Sequence, residues 1–262
     1  MTAAAGDSLA PDPPAQAREL FGPAIGLAER YAGLLAGPGV ERGLIGPGET
    51  ARLWDRHLIN CAVVAELVPR PATLIDLGSG AGLPGIVLAM LLPDVEITLL
   101  EPMARRVVFL DECVQELGLG NVAVHRGRAE EVAGQFAADV LTARAVAPLD
   151  RLAGLALGLV RPGGLVLAIK GATAAQEVAR ATPVLRRLGA QDVQVVTAGD
   201  GENGPAATVV RFTAGPARRR AGRQDRPRTG RTAAGHGRVT GQRQGTAPGR
   251  PNRRSGSAKR AG

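Results

Sequence analysis

The stretch Asp76-Leu77-Gly78-Ser79-Gly80-Ala81-Gly82-Leu83-Pro84-Gly85 decides the fold. It follows an apolar run with the length of a buried strand (residues 73–77) and opens an apolar helical pattern (residues 84–92). Glycines at alternating positions permit turns that a Cβ would block, and they let the backbone come close to a ligand. A strand, a glycine loop and a helix in this order indicate a doubly wound α/β sheet, whose ligands bind at the carboxyl ends of the strands.

Strands and helices alternate on the C-terminal side of this loop. The pattern predicts strands at residues 73–77, 96–100, 122–125, 139–143, 164–169, 192–197 and 207–212, and helices at 84–92, 104–117, 149–159 and 174–188. Four β-α alternations favour a parallel sheet covered on both faces. The last two strands are separated by a short Gly/Asn-containing turn, so we expect an antiparallel hairpin. The predicted fold is α/β and Rossmann-like, with a seven-stranded, mostly parallel sheet as in class I methyltransferases.

The chain divides into four predicted regions. Residues 1–17 form a leader rich in Ala and Pro, and residues 216–262 form an Arg/Gly-rich tail; both are expected to be disordered. Residues 18–70 form a helical extension before the methyltransferase-like domain at residues 71–215. Within the extension, Gly37-Pro38-Gly39 and Gly46-Pro47-Gly48 are expected to break the chain between helices, and Pro69 and Pro71 to end the second helix.

The net charge of +8 is a property of the tail. Residues 216–262 contain thirteen arginines and one lysine against one acid, Asp225, so the tail has a net charge of +13 and residues 1–215 have −5. A flexible basic segment would raise affinity for RNA in a salt-dependent, sequence-independent way. The alternative is an extension that the catalytic domain does not need.

Cysteine usage and hydropathy indicate a cytoplasmic protein. Cys61 and Cys113 lie in apolar helical patterns, and we expect buried free thiols in a reducing compartment. No apolar run approaches the roughly 18 residues of a membrane-spanning helix, and the N-terminus lacks the apolar stretch of a secretory signal. We therefore expect no membrane partner.

The spacing of the loop favours S-adenosylmethionine over a dinucleotide. The NAD fingerprint G-x-G-x-x-G would need glycine at position 83, which is Leu83. G-x-G-x-G suits a ligand without a pyrophosphate on the helix N-terminus. A carboxylate at the end of the second strand matches two ribose hydroxyls, and an adenine-binding loop belongs after the third strand. The expected cofactor-binding residues of these elements are Gly78, Gly80, Gly82, Leu83, Glu101, Ala129 and Glu130.

The sequence disfavours two classes of methyl-transfer enzyme. Enzymes that methylate the amino group of adenine carry Asp/Asn-Pro-Pro-aromatic there, whereas this chain has Ala143-Arg144-Ala145-Val146-Ala147-Pro148. Enzymes that methylate C5 of cytosine need a cysteine nucleophile on a loop, and both cysteines lie in helical patterns. An acceptor with its own lone pair, such as guanine N7, needs only alignment with the methyl group and the sulfur. We therefore assign no general base.

Three basic residues end or follow predicted strands at the ligand edge: Arg128, Arg144 and Lys170. At the mouth of the pocket they would bind RNA phosphates. Arg144 could instead bind guanine O6 and N7, but that would occupy the nitrogen to be methylated, so a phosphate or cofactor role is favoured. For each, an ion-paired or solvated side chain is the alternative. His57 is expected to be a packed, hydrogen-bonded histidine, and the absence of a Cys/His cluster predicts no metal.

These segments together resemble a known family, the bacterial 16S ribosomal RNA guanine-N7 methyltransferases, also called glucose-inhibited division protein B. The glycine loop with Leu83-Pro84-Gly85 and the arginine pair before Phe109-Leu110 are the most specific features. The matching stretches run in family order over roughly residues 20–212: Arg56-His57-Leu58-Ile59, residues 76–85, Thr98-Leu99-Leu100-Glu101, Arg105-Arg106-Val107-Val108-Phe109-Leu110, Arg128-Ala129-Glu130-Glu131, Arg144-Ala145 and Lys170-Gly171.

The resemblance implies an enzyme that methylates N7 of one guanine in 16S ribosomal RNA, either free or in a small-subunit assembly intermediate. It implies cofactor contacts at Gly78, Leu83, Ala129, Glu130 and Arg144. The basic positions that would face RNA are Arg105, Arg106 and Arg128, together with Lys170. Two alternatives stay open: a class I methyltransferase acting on another RNA or a small molecule, and a non-catalytic RNA-binding or ribosome-assembly factor with the same fold.

Overall fold

Seven strands form one sheet in a computed structural model that describes residues 10–200 and 204–216. The strands are β1 (Ala72–Leu77), β2 (Val95–Glu101), β3 (Val122–Arg126), β4 (Ala138–Arg144), β5 (Val160–Lys170), β6 (Ala190–Gly199) and β7 (Ala206–Ala214). They lie in the order β3-β2-β1-β4-β5-β7-β6. Strands β1 to β5 pair in parallel, and β7 is antiparallel to both β5 and β6. The predicted sheet and its closing hairpin are confirmed.

Four helices connect the strands and cover both faces of the sheet. They are α4 (Gly85–Leu91), α5 (Ala104–Leu117), α6 (Leu149–Ala156) and α7 (Ala174–Leu188). Helices α5 and α7 have the predicted bounds, and each ends at a glycine in the left-handed conformation. Helix α6 ends three residues before the predicted Leu159, because the chain turns at residues 157–159 to enter β5.

The N-terminal part is helical but irregular. It contains α1 (Ala15–Phe21), a 3₁₀ turn (Gly22–Ala24), α2 (Ile25–Leu34), a π-helical turn (Leu35–Gly39) and then one run of a 3₁₀ segment (Pro47–Arg52), a π-helical segment (Leu53–Ile59), α3 (Asn60–Ala62) and a 3₁₀ segment (Val63–Leu67). The expected break at Gly37-Pro38-Gly39 is wrong, because the helix continues through it. A proline lacks the N–H and clashes with the carbonyl four residues earlier, and the wider π turn accommodates both effects.

The ordered part begins earlier than residue 18. Helix α1 starts at Ala15, Ala17 is fully buried, and Trp54 Nε1 donates a hydrogen bond to the Pro11 carbonyl (2.7 Å). The apolar contacts of Ala17 and Trp54 therefore order a segment that composition assigned to the leader. Residues 1–9 of the leader and the tail from residue 217 onward lie outside the described residues.

Two hydrophobic cores flank the sheet, and the side chains of β1 alternate between them. Leu74 packs into the core formed with the N-terminal helices, α4 and α5, whereas Ile75 and Leu77 pack into the core formed with α6 and α7. The helical extension therefore shares a core with the sheet. Cys61 and Cys113 are buried free thiols, as predicted. Within the described ranges, no helix is long and apolar enough to cross a membrane.

Candidate functional site

The glycine loop connects β1 to α4 and is hydrogen-bonded to the end of β2. Gly78, Gly80 and Gly82 have φ angles of +68°, +61° and +99°, a region that residues with a Cβ rarely adopt. The Gly78 N–H donates to the Leu100 carbonyl (2.8 Å), and the Gly80 N–H donates to Glu101 Oε2 (3.0 Å). The alternating glycines therefore form the tight, β2-anchored turn that their spacing predicts.

Two buried side chains support this loop. Asp76 accepts hydrogen bonds from the Gly85 N–H (3.1 Å) and from Thr142 Oγ1 (3.4 Å), and burial raises its pKa to about 6. Tyr31 of α2 donates its hydroxyl to the Ala81 carbonyl (2.7 Å), and burial raises the pKa of this phenol. The N-terminal helices therefore contact the loop directly.

Glu101 ends β2 and is buried beside the glycine loop, with 1% of its surface exposed. Its Oε2 accepts from the Gly80 N–H (3.0 Å), and its Oε1 accepts from the Met103 N–H (3.0 Å). Each carboxylate oxygen has a second lone pair, so binding of two ribose hydroxyls stays a prediction. Arg106, which we expected at the RNA face, is half-buried, and its Nη1 lies 3.6 Å from Glu101 Oε2.

A small cleft of about 180 Å³ lies beside the loop. Its lining includes Gly78, Ala129, Glu130 and Val146. This volume is below the roughly 300–1,000 Å³ of pockets that enclose a whole ligand, so the small cleft fits one planar part of a larger molecule. A Cβ on Gly78 would lie 2.9 Å from Val146 Cγ2, so only glycine allows these two walls to come so close. The predicted adenine-binding pair, Ala129 and Glu130, thus lies next to the loop.

The segment Arg144–Ala147, which begins at the last residue of β4, lies between the small cleft and a large pocket of about 510 Å³. Val146 and Ala147 line the small cleft, whereas Arg144 and Ala145 line the large pocket. Ala145 has a φ of +57°. Such a conformation costs a non-glycine residue about 1 kcal/mol or more and is concentrated at functional sites. The turn at Ala145 divides the segment between the two cavities.

A chain of hydrogen bonds holds the Arg144 guanidinium in the large pocket. Arg144 Nη2 lies 2.7 Å from His57 Nδ1, Arg144 Nη1 donates to the Arg56 carbonyl (3.3 Å), and His57 Nε2 lies 3.0 Å from Glu49 Oε2. Because a guanidinium only donates and a carboxylate only accepts, His57 is neutral and carries its proton on Nε2. Burial, followed by the charge of Arg144, lowers the pKa of His57, and the hydrogen bond from His57 lowers the pKa of Glu49. His57 is packed and hydrogen-bonded, as predicted, and it is also part of the site.

The π-helical segment carries the Arg56 carbonyl that accepts from Arg144. At its end, the Asn60 N–H donates to the carbonyl of His57, three residues before it. π turns inside helices are frequent at functional sites. Arg56, His57 and Asn60 all line the large pocket, so this irregular helix forms one of its walls.

An ion pair forms another part of the wall of the large pocket. Lys170 Nζ lies 2.9 Å from Glu177 Oε2, and the two side chains are 11% and 20% exposed. Lys170 also donates to the Ala147 carbonyl (3.0 Å), and the Leu149 N–H donates to Glu177 Oε2 (3.3 Å). Lys170 therefore lies inside the pocket in an ion pair, and not free at the mouth where we expected it to meet phosphates.

Comparison with known proteins decides the family. The model of a family described as rRNA small subunit methyltransferase G (GidB) matches residues 25–204. Ribosomal RNA small subunit methyltransferase G of Thermobifida fusca is 59% identical over 197 residues, which cover 75% of this chain and 83% of that protein. Its namesake in Streptomyces coelicolor is 53% identical over 227 residues, covering 85% and 95%. The chain belongs to the methyltransferase G family.

The resemblance drawn from the sequence is therefore confirmed, and a solved structure agrees on the fold. A structure from Methanococcus maripaludis, assigned to the S-adenosyl-L-methionine-dependent methyltransferases, aligns with a TM-score of 0.50 at 14% identity. The alignment covers 72% of this chain and 94% of that one. At this identity the similarity concerns the fold alone.

The remaining arginines predicted to face RNA are on the surface of this family member. Arg105 is exposed, and the Arg128 side chain is 69% exposed, with its Nε 3.9 Å from Glu131 Oε1. Both are therefore accessible to a large ligand. In the part of the chain that the structure describes, no three His, Cys, Asp or Glu side chains lie together as metal ligands would.

Sequence reasoning did not assign His57, Asn60 and Glu177 to the site. Arg144 contacts His57 across 87 residues of sequence, and Glu177 enters the pocket from the first turn of α7. The sequence marks Arg56 only through the family resemblance, and it marks His57 otherwise only as a packed histidine. No local spacing signal marks Glu177, because its partners come from other elements.

Proposed function

We propose that this chain transfers the methyl group of S-adenosylmethionine to N7 of a guanine in 16S (small-subunit) ribosomal RNA. The observation that carries the proposal is the segment Arg144–Ala147, which has a base-sized cleft on one side and the large pocket on the other. A methyl donor and its acceptor must approach within about 3–3.5 Å, and two cavities that border the same segment would bring a bound donor and a bound acceptor close together. Membership of the methyltransferase G family supports the class of acceptor.

The loop fits a cofactor that has no phosphate. The N–H groups of residues 78, 79, 80, 82 and 83 all donate to protein oxygens of the β2 end or of the loop itself. A pyrophosphate, which needs free N–H groups at such a loop, would find these already bonded. S-adenosylmethionine needs none of them as phosphate donors, so the donor set supports this cofactor over a dinucleotide.

Each predicted residue has a role in this arrangement. Ala129 and Glu130 would hold the adenine, Glu101 would bind the ribose hydroxyls, and the backbone of Gly78, Gly80, Gly82 and Leu83 would lie along the cofactor. Arg144, fixed by His57, would hold the carboxylate end beside the large pocket. When bound, this cofactor supplies an electrophilic methyl group on a positively charged sulfur.

The large pocket would hold the acceptor base. N7 of guanine has a lone pair and no proton, so the pocket needs to orient the base and exclude water and does not need a general base. Glu177, which lines the pocket, is paired with Lys170, and we assign it no role as a base. Catalysis would rest on proximity and alignment.

RNA binding would rest on phosphate contacts. Arg105 and Arg128 are exposed on the surface that borders the small cleft and α5, and arginines in such positions bind phosphate oxygens. Aromatic residues make up 2% of the chain, too few for base stacking to dominate. We place the reaction in the cytoplasm, on 16S ribosomal RNA or on a small-subunit assembly intermediate.

Thermal shift tests the cofactor. S-adenosylhomocysteine at 1 mM should raise the melting temperature of the protein, whereas 1 mM NAD should leave it unchanged, because only a ligand that binds the folded state stabilises it. A shift with NAD and none with S-adenosylhomocysteine would contradict the proposed cofactor.

Methyl transfer tests the reaction. The purified protein, S-adenosylmethionine labelled in its methyl group, and 16S ribosomal RNA or immature small subunits should yield labelled 7-methylguanosine after nuclease digestion. A different labelled nucleoside, or no label with either substrate, would contradict the proposed acceptor.

A further inference from the structure

The ion pair of the large pocket keeps two unused hydrogen-bonding positions. The Lys170 ammonium has three N–H groups, of which one bonds to the Ala147 carbonyl and one to Glu177 Oε2. Glu177 Oε2 binds Lys170 and the Leu149 N–H, but Glu177 Oε1 has no partner within residues 10–200 and 204–216. Both side chains line the large pocket. The pocket wall therefore offers a donor next to an acceptor.

This donor–acceptor order matches one edge of guanine. Guanine has its O6 acceptor next to the N1–H and N2–H donors, so an ammonium can donate to O6 while a carboxylate accepts from N1–H and N2–H. Adenine has the opposite order, with an amino donor at position 6 and an acceptor at N1. A site built to bond donors and acceptors in one order rejects the wrong base strongly, since its buried polar groups would be left unpaired.

We propose that Lys170 and Glu177 recognise the O6, N1–H and N2–H edge of the guanine that is methylated. The inference rests on the proposed function and names two specificity residues for it. With that edge held by the ion pair, N7 on the neighbouring edge of the base, next to O6, keeps its lone pair free to meet the methyl group beside the Arg144–Ala147 segment.

The carboxylate also stabilises the charge that develops during transfer. The N7 lone pair forms the new bond to the methyl carbon, the carbon–sulfur bond breaks with its electron pair on sulfur, and no proton leaves. The positive charge moves from sulfur to the purine ring, which makes N1–H and N2–H stronger donors. Hydrogen bonds to Glu177 are therefore stronger in the transition state than in the ground state, and such bonds accelerate a reaction.

The same pair also has a structural contact, which the experiment must separate from recognition. Lys170 binds the Ala147 carbonyl, and Glu177 binds the Leu149 N–H, so together they fix the chain just after the Arg144–Ala147 segment. A purely structural role predicts that loss of Glu177 slows methylation equally for every acceptor base. Recognition predicts that the loss depends on the base.

The test varies one amino group of the RNA. Semi-synthetic small-subunit ribosomal RNA is prepared with guanosine or inosine at the methylated position, after that position has been located by mapping. Inosine keeps N7, O6 and N1–H and lacks only the N2 amino group. The kcat/KM for guanosine divided by that for inosine is measured for the wild type, for Glu177→Gln and for Glu112→Gln. Glu112, on α5, forms an ion pair with Arg42 (2.7 Å) and does not line the pocket, so its variant is the matched control.

We expect the wild type and Glu112→Gln to prefer guanosine by about tenfold or more, the effect of one hydrogen bond to a charged group. Glu177→Gln should lower this preference to within about twofold to threefold. An equal preference in the wild type and Glu177→Gln overturns the inference. So does a wild-type preference near one, whatever the variant does.

Two further results keep the outcome unambiguous. If Glu177→Gln does not fold, Glu177→Asp keeps the charge that Lys170 needs and shortens the reach to the base, so its preference for guanosine should also fall; an unchanged preference there overturns the inference. If the wild type places no methyl group on N7 of guanosine, the proposed function itself has failed. Methylation at N7 with equal guanosine preferences in the wild type and Glu177→Gln would overturn only the proposed role of Lys170 and Glu177.

Discussion

The small cleft and the large pocket share the segment Arg144–Ala147 but are built from different parts of the chain. Mostly apolar residues line the small cleft, beside a loop in which three glycines have positive φ and Gly80 donates its N–H to Glu101. Charged side chains shape the large pocket, through the hydrogen bonds from Arg144 to His57 and from Lys170 to Glu177. The contrast shows that the small cleft combines one contiguous glycine loop with short segments after β2, β3 and β4, whereas the large pocket depends on charged side chains that are distant in sequence.

The largest effect is expected from the large pocket. Arg144→Ala removes the guanidinium that bonds to His57 Nδ1 and to the Arg56 carbonyl. We expect kcat/KM for methyl transfer to fall about 100-fold or more, because the cofactor loses the group proposed to fix its carboxylate end and a misplaced reactant costs about this much. Arg180→Ala, which truncates an exposed arginine of α7, is the control and should retain full activity. Activity of Arg144→Ala within threefold of the wild type would show that methyl transfer does not require the guanidinium of Arg144.

A substitution in the backbone-built region should act on stability first. A Cβ on Gly85 would overlap Leu99 and lie 2.7 Å from Asp76 Oδ2, whereas a Cβ on Gly120 meets no atom within 4 Å. Gly85→Ala should cost about 1–3 kcal/mol through overpacking, which lowers the melting temperature of a domain of this size by roughly 2–4 °C per kcal/mol. Gly120→Ala should melt close to the wild type. Equal melting temperatures would contradict the tight packing at this turn.

A smaller loss is expected where the N-terminal helices meet the loop. Tyr31→Phe removes the hydroxyl that donates to the buried Ala81 carbonyl. Losing this bond should lower the free energy of unfolding by about 1–2 kcal/mol, seen as a lower urea midpoint with an unchanged m-value. Thr50→Val, which removes a hydrogen bond on the surface, should change the midpoint little. A Tyr31→Phe midpoint equal to that of the wild type would separate the helices from the loop energetically.

The smallest effect at neutral pH, and a distinct one in acid, is expected from His57→Gln. Glutamine can accept from Arg144 and donate to Glu49 as neutral His57 does, so activity at pH 7.5 should fall only a few-fold. The pKa of His57 is lowered, so the wild type should lose activity as the pH falls below the ordinary value of 6.5, when protonated Nδ1 can no longer accept from Arg144. His57→Gln should lack this acid limb in single-turnover rates between pH 5 and 8. Coincident profiles would contradict the neutral His57 in the chain of hydrogen bonds.

Protonation of His57 in acid should also lower the stability of the fold. A histidine with a lowered pKa binds its proton less tightly in the folded than in the unfolded state, so its contribution is present above the unfolded value of 6.5 and is lost as the pH falls through the lowered pKa. Asp76 acts in the opposite direction. Its pKa is raised to about 6, so the folded state binds this proton more tightly than the unfolded state, and the resulting stabilisation is lost as the pH rises through about 6. Comparing the wild type with His57→Gln isolates the histidine.

Most of the fold could be predicted from the sequence because local patterns determine it. Helices α5 and α7 begin and end at the predicted residues, since amphipathic spacing and a following glycine agree. Strand β5 was predicted to start at Gly164, but it starts at Val160, because Arg161-Pro162-Gly163-Gly164 has the composition of a turn while Val160 still pairs with Ala138 across a register shift. Composition therefore misplaces the end of a strand when pairing with a neighbouring strand sets that end.

The site divides in the same way. The glycine loop was predictable, since its residues are contiguous and their spacing has a direct conformational meaning. Glu177 was not, since its role depends on Lys170 and on the chain after β4, which only the folded sheet brings together. Lys170 was predicted from its charge to lie at the mouth of the pocket. Its burial could not be predicted, because that burial depends on the contact with Glu177 of α7.

The central claim is methyl transfer to N7 of one guanine, and a map of 7-methylguanosine in 16S ribosomal RNA tests it most directly. Borohydride reduction and aniline cleavage would be applied to RNA from a wild-type strain, a deletion strain and deletion strains complemented with the wild-type gene or with Arg144→Ala. We predict one cleavage site in the RNA that disappears on deletion, returns with the wild-type gene and does not return with Arg144→Ala. An identical map in all four strains would contradict it.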